Sequence, residues 1–213
     1  MQLSLISDTH GAHSQIKHIP KCDVLIHAGD FSGESGQAAT RDFLTWFEGC
    51  GSMPKVLVAG NHNSQCVKWP GLFKAMVEEL APSVRYLGDS GCVIDGVKFW
   101  GSPYTSTFLN WYFMEDDGAA MDRHCDMVPD DTDVLVTHGP PYGYLDKANH
   151  GGHNLGSMSW RKCMERVKPK LMVFGHIHGG HGYTKLHHGC LINASLLDED
   201  YRLTHPIQTY NLK

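Results

Sequence analysis

The chain has 213 residues, 41% of them hydrophobic and 19% charged, with a formal net charge of −5. Those values suit a globular chain and exclude a disordered or collagen-like one. They also disfavour binding to long nucleic acids, which needs a dense Lys/Arg footprint that is nowhere in evidence along this sequence. The length fits a single domain over residues 1–213.

In chain order, Leu3–Ser7 ("LSLIS"), Asp23–Gly29 ("DVLIHAG") and Lys55–Gly60 ("KVLVAG") are short apolar runs that end at turn residues. Each is expected to be a buried strand. Between the second and third, Gln37–Cys50 repeats Ala39, Phe43, Leu44 and Phe47 at helical spacing, with Ser35 or Gly36 as its start. Leu72–Leu80 is a second expected helix, closed by Pro82. Cys92–Trp100 reads as a hairpin turning at Asp95-Gly96. Asp133–Gly139 and Lys170–His176 repeat the buried-strand pattern, with a helix over Ser159–Val167 between them. The C-terminal "YTKLHHGCLINAS" and "RLTHPIQTYNL" read as antiparallel strands, with His187 and His188 lying across one of them. Lys147–Ser157 is a Gly-rich loop. The pattern predicts an α/β fold with two facing sheets flanked by helices.

Seven cysteines form no CxxC pair, so reduced thiols are expected rather than disulfides or a structural zinc site. The first strand starts almost at Met1, and no apolar run approaches the length of a membrane span. No signal peptide or membrane segment is therefore expected, and the expected location is cytoplasmic.

The chemistry gathers where strands end. Asp8 and His10 follow the first strand, Asp30 the second, and Asn61 and His62 the third; His138, His176 and His178 follow later ones. Ligands at the carboxyl ends of parallel strands converge on one crevice. The set is nitrogen and oxygen without thiolate, which suits Mn²⁺, Fe or Zn²⁺, with Ni²⁺ or Co²⁺ also compatible. Even without His62, seven candidate ligands exceed what one ion needs beside its waters. Two divalent ions sharing a bridging carboxylate are the economical arrangement.

"SDTH", "GDFSG", "GNHN", "THGPP" and "GHIH", in this order and each after a buried strand, resemble the calcineurin-like metallophosphoesterase superfamily. "HAGDFS", "GSPYTSTFLNWYF", "THGPPYGYLD", "PKLMVFGHIHGGHG" and "INAS" resemble its metallophosphoesterase-domain-containing, cyclic-nucleotide-phosphodiesterase-like subgroup. Some members of that subgroup have Gly at the first His of GHxH; this chain keeps His176. The resemblance implies a four-layer α-β-β-α sandwich. It places Asp8, His10, Asp30 and His178 on a first metal and Asp30, Asn61, His138 and His176 on a second, with Mn²⁺ the first choice of ion. It further implies attack on phosphorus by a hydroxide between the ions, with His62 protonating the leaving oxygen.

A small phosphodiester such as a 2′,3′-cyclic nucleotide, with 3′,5′-cyclic nucleotides behind it, is the expected substrate; a homodimer is compatible. Alternatives are a phosphomonoesterase or protein phosphatase, a nuclease on short oligonucleotides, and a metal-binding scaffold with weak catalysis. "GDFSGES" lacks the second Asp and the Arg of the protein-phosphatase pattern "GDxxDRG".

Asn110, Trp111 and Tyr112 are candidates to flank a base, and His181 to touch substrate or support a ligand. His27 is expected to be a packed core histidine and His150 and His153 exposed, while His13, which follows the DTH turn, is a candidate to border the cleft. Asn63 stands where the family usually has an acidic residue, and Gly33 where "GDxxD" has its second Asp. Neither familiar acidic partner for His62 is present, which implies a weaker general acid at high pH.

Overall fold

A computed structural model describes residues 1–33, 36–148 and 152–213. The strands are β1 (Gln2–Ile6), β2 (Val24–Ala28), β3 (Lys55–Val58), β4 (Val84–Tyr86), β5 (Ser90–Ile94), β6 (Val97–Ser102), β7 (Thr105–Ser106), β8 (Met114–Glu115), β9 (Val134–Thr137), β10 (Leu171–Phe174), β11 (Gly182–Lys185), β12 (Cys190–Asn193) and β13 (Gln208–Asn211). The α-helices are α1 (Gly36–Gly49), α2 (Ser64–Lys68), α3 (Pro70–Leu80), α4 (Ala119–Asp126) and α5 (Met158–Val167). Ser35 and His150 lie outside the described residues.

One sheet runs β13-β1-β2-β3-β4 and the other β11-β12-β10-β9-β6-β5. In the first, β1 to β4 are mutually parallel and β13 returns antiparallel to β1. In the second, β6, β9, β10 and β12 are parallel, with β5 and β11 antiparallel at the edges. Strands β1, β2, β3, β9, β10 and β12 are almost wholly buried. That explains why they read as continuous apolar runs rather than alternating ones, since both faces are covered.

Three apolar layers make the sandwich. Leu3, Leu5, Val24, Ile26, Val56 and Val58 of the first sheet meet Phe99, Val134, Val136, Leu171, Val173 and Ile192 of the second. Leu25 and Leu57 on the outer face of the first sheet pack with Phe43, Leu44 and Phe47 of α1 and Phe73, Met76 and Val77 of α3. Leu135, Met172 and Leu191 on the outer face of the second sheet pack with Met121 and Cys125 of α4 and Trp160, Cys163 and Met164 of α5. Each buried Leu- or Phe-sized side chain contributes about 1.5–3 kcal/mol, so these layers dominate the fold's stability. The four-layer order α-β-β-α follows directly.

The C-terminal strands are antiparallel, β11 to β12 in the second sheet and β13, which crosses back, to β1 in the first. His187 and His188 lie outside the strands, exposed in the β11–β12 turn that Leu186 and Gly189 close by a 2.8 Å backbone hydrogen bond. Helices α2 and α4 fall in stretches where no apolar stripe announces a helix. All seven cysteines are free. Among the described residues, no helix is long and apolar enough to cross a membrane.

Candidate metal centre

The two sheets touch at their carboxyl-terminal ends. Ser7 bridges Ser195 in parallel, and Leu196 N–H donates to the Ser7 carbonyl at 3.0 Å. The loops leaving β1, β2 and β3 meet those leaving β9 and β10 at this seam.

Asp8, His10, Asp30 and His176 all have positive φ, between 42° and 66°. For non-glycine residues such conformations cost of order 1–3 kcal/mol each and persist only where surrounding structure enforces them. The turns also need glycine for space. A Cβ on Gly60 would sit 2.3 Å from Asp30 Oδ1, and one on Gly175 would sit 2.0 Å from Asp8 Oδ2. The glycines of "GNH" and "GHIH" are thus clearance for carboxylates, not generic turn residues.

Side chains converge on the space so cleared. The ligand atoms of Asp8, His10 and His178 all lie within 4.8 Å of one another, as do those of Asp8, Asp30 and His138 and those of His10, Asp30 and His62. Asp30 Oδ2 is 3.6 Å from His10 Nε2 and 3.3 Å from His138 Nε2. Asn61 Oδ1 is 2.9 Å from His138 Nε2. His176 is outside those triads; its ring is 5.1 Å from that of His138, and its backbone N–H donates to both Asp8 oxygens.

Asp8, Asp30, His138 and His178 are each aimed by a bond behind the reactive atom. His138 Nδ1 donates to the Ala28 carbonyl at 3.0 Å and His178 Nδ1 to the Asp198 carbonyl at 2.9 Å, which turns both Nε2 atoms inward. The His62 backbone N–H donates to Asp30 Oδ1 at 2.8 Å, leaving Oδ2 for the cluster. Ser195 Oγ donates to Asp8 Oδ2 at 2.8 Å.

The electrostatics call for positive charge. Burial pushes the Asp8 carboxyl up, but the hydrogen bond and charge of His178, with His138 and His10, hold it well below the usual range. Asp30 is likewise held low, against burial, by His138 and His10. Burial lowers His138, yet the Asp30 carboxylate raises it to about 9. His178 is raised by Asp8 against burial. His10 is lowered by burial against the pull of Asp30 and Asp8. His176 is lowered to about 3, by burial and then the charge of His138. Buried His10 Nε2 and Asn61 Nδ2 have no hydrogen-bond partner. Inward-facing lone pairs, two anionic carboxylates and an orphaned imidazole nitrogen fit divalent cations.

His62 lies against this cluster, 4.8 Å from the His10 ring and 4.4 Å from that of Trp111. Asn63 is directed elsewhere. It is 1% exposed; its Oδ1 accepts from Gly60 N–H at 2.8 Å and its Nδ2 donates to the Ser32 carbonyl at 3.1 Å. It braces the loop after β3 against the loop after β2. The position therefore uses both an acceptor and a donor.

Trp111 lines a cavity of about 260 Å³ with Thr107, Phe108, Leu155, His176 and Ile177. Tyr112 donates its backbone N–H to the Asn61 carbonyl and lies under Lys68 Nζ at 5.1 Å; Asn110 is exposed. His181 stands apart. Its Nδ1 donates to the Ser195 carbonyl at 2.8 Å, its Nε2 is 2.8 Å from Gln208 Nε2, and it stacks on His205 at 4.4 Å. His27 is fully buried, Nε2 3.0 Å from Thr9 Oγ1, and His153 is exposed. His13 is buried against Phe43 and Trp46 of α1, with Nε2 3.0 Å from Asp42. It packs on the helix rather than bordering the cleft.

Two contributors escaped the sequence. Tyr201 places its ring 4.9 Å from His10 and 5.2 Å from His178, and Glu199 lines a second cavity of about 190 Å³ with Tyr201, His176 and His178. They sit in the irregular stretch after β12, which carries no periodic signal.

Comparison with known proteins agrees with this geometry. The calcineurin-like phosphoesterase family pattern matches residues 1–180. The chain belongs to the calcineurin-like phosphoesterase family. Human metallophosphoesterase domain-containing protein 1 is 32% identical over 94% of this chain and 68% of its own length. A Caenorhabditis elegans UPF0046 protein is 33% identical over 99% of this chain and 75% of its own. The crystal structure of TT1561 of Thermus thermophilus shares the fold, with a TM-score of 0.65 at 13% identity, covering 100% of this chain and 99% of that one. As a family member the chain is a metal-dependent phosphoesterase, a hydrolase that uses divalent metals.

Proposed function

We propose that the chain is a two-metal phosphodiesterase for small phosphodiesters, 2′,3′-cyclic nucleotides first among them and 3′,5′-cyclic nucleotides behind, with Mn²⁺ as the working ion. The observation carrying this reading is the sharing of Asp30 Oδ2 between His10 on one side and His138 on the other. Asp8, His10, Asp30 and His178 would hold one ion, and Asp30, Asn61, His138 and His176 the other. Divalent ions so held supply Lewis acidity to the phosphoryl oxygens and acidify a bound water.

The chain's own residues do the rest. Asp30 is locked by the His62 N–H, so the shared oxygen cannot swing away. The imidazoles of His138 and His178 are oriented by carbonyls and present Nε2 inward. His62 sits beside the cluster, where its ring can deliver a proton to the departing oxygen. Among the described residues, neither cavity beside the cluster is lined by Lys or Arg. A monoester dianion would lack a countercharge beyond the metals, whereas a diester monoanion needs none. That favours diesters over monoesters.

The test compares bis(p-nitrophenyl) phosphate, p-nitrophenyl phosphate and 2′,3′-cyclic AMP with Mn²⁺-loaded protein. Diester hydrolysis should exceed monoester hydrolysis, and Asp30→Ala and His138→Ala should each bring it near background. Faster monoester turnover, or unchanged rates in both variants, would overturn the reading.

A further inference from the structure

The walls of the two cavities differ in kind. One is walled by Phe108, Trp111, Leu155 and Ile177; the other is lined by Ala148, His178, Glu199 and Tyr201. His176 and Ile177 line both. Phe108 is 61% and Leu155 47% exposed, so neither is spent on the core. Trp111 packs its ring edge-on to Phe108 at 6.2 Å and against His62 at 4.4 Å, which ties this wall to the catalytic cluster. The volume, about 260 Å³, is below the ~300–1,000 Å³ of drug-sized sites and suits a ring system rather than a whole cofactor.

From these walls we infer that Phe108, Trp111, Leu155 and Ile177 form a subsite for one flat, uncharged ring carried on an ester arm of the phosphate substrate. This rests on the phosphodiesterase reading and deepens it. A ring entering there stacks on Trp111 and displaces water from exposed apolar groups. A second phosphate or a carboxylate on the ring would find no cation among the described lining residues. The substrate is thus a phosphate with one aromatic arm and no further negative charge.

Direct binding tests it without any turnover. Phenylphosphonate and methylphosphonate each carry one organic arm, and calorimetry on the Mn²⁺-loaded protein gives both affinities. Phenylphosphonate should bind about tenfold tighter, as expected for one stacked ring. In Phe108→Ala and Leu155→Ala, both truncations of exposed side chains, that ratio should fall below about threefold while methylphosphonate binding stays within about twofold. 4-Carboxyphenylphosphonate should bind no tighter than methylphosphonate. A ratio near one in the wild type, a ratio unchanged in both variants, or full retention of the gain by the carboxylated ring overturns the subsite. If the ring preference holds and no phosphodiester is hydrolysed, the proposed reaction falls and the subsite stands. If diesters are hydrolysed and neither phosphonate binds, the subsite falls alone.

Discussion

Asn63→Asp changes one atom and should unsettle the whole corner. The side chain is 1% exposed and uses both ends: Oδ1 takes the Gly60 N–H, and Nδ2 gives to the Ser32 carbonyl. The replacement puts a carboxylate oxygen where that donor stood, 3.1 Å from another acceptor. Losing one buried donor costs about 1–3 kcal/mol, and the charge adds to it. At about 2 kcal/mol, a chain of this size should melt roughly 4–8 °C lower. The sign with pH follows from the folded carboxyl's raised pKa. Between its unfolded value and that raised value the folded state holds the extra proton, so stability falls as pH rises. The variant should therefore lie closer to wild type at pH 5 than at pH 8 in paired thermal melts. Equal melting temperatures at pH 8, or an alkaline activity limb moved upward with stability intact, would refute this account and restore the view that Asn63 merely lacks a charge.

Three further outcomes are expected. Gly175→Ala should abolish phosphoesterase activity, because its Cβ would meet Asp8 Oδ2 at 2.0 Å and Ser7 Oγ at 2.2 Å; steady-state rates and metal content, read together, check it. His27 is held neutral, burial lowering it to about 3 against an unfolded value near 6.5. The unfolded state binds the proton across that window, so stability is lost as pH falls below about 6.5, by about 2 kcal/mol at pH 5 from this residue alone. Urea titrations of His27→Gln should show a shallower acid-side slope, and an unchanged slope would count against it. Saturating Mn²⁺ at about a hundred times its dissociation constant should stabilise the fold by about 2.7 kcal/mol, read as a higher melting temperature that Asp30→Ala loses.

The sandwich was legible because its central strands are buried on both faces, which writes itself as runs such as Val56-Leu57-Val58. The candidate ligands were legible because each sits within a few residues of such a run's end. Asn63 was legible only as a departure from the expected carboxylate, since its contacts to Gly60 and Ser32 are made across two loops. His187-His188 were misplaced because a turn closed through Leu186 takes both. Helix α4 was missed because only Met121 and Cys125 of its eight residues are buried, too few to make a stripe. Tyr201 had no local pattern at all. Its position over His10 comes from the path of the chain between β12 and β13, which only the assembled sheets define.

That path has a practical consequence. Asp8, His10, Asp30, Asn61 and His62 arrive on one sheet's loops, and His138, His176 and His178 on the other's, joined at the Ser7–Ser195 seam. A cut in the exposed turn near Asp130 would leave two fragments, each owning part of the candidate metal-ligand cluster, while β13 keeps the second fragment woven into the first fragment's sheet. Metal uptake would then act as a gauge of reassembly. The chain is suited to a split reporter in which a bound ion signals that both halves have met in register.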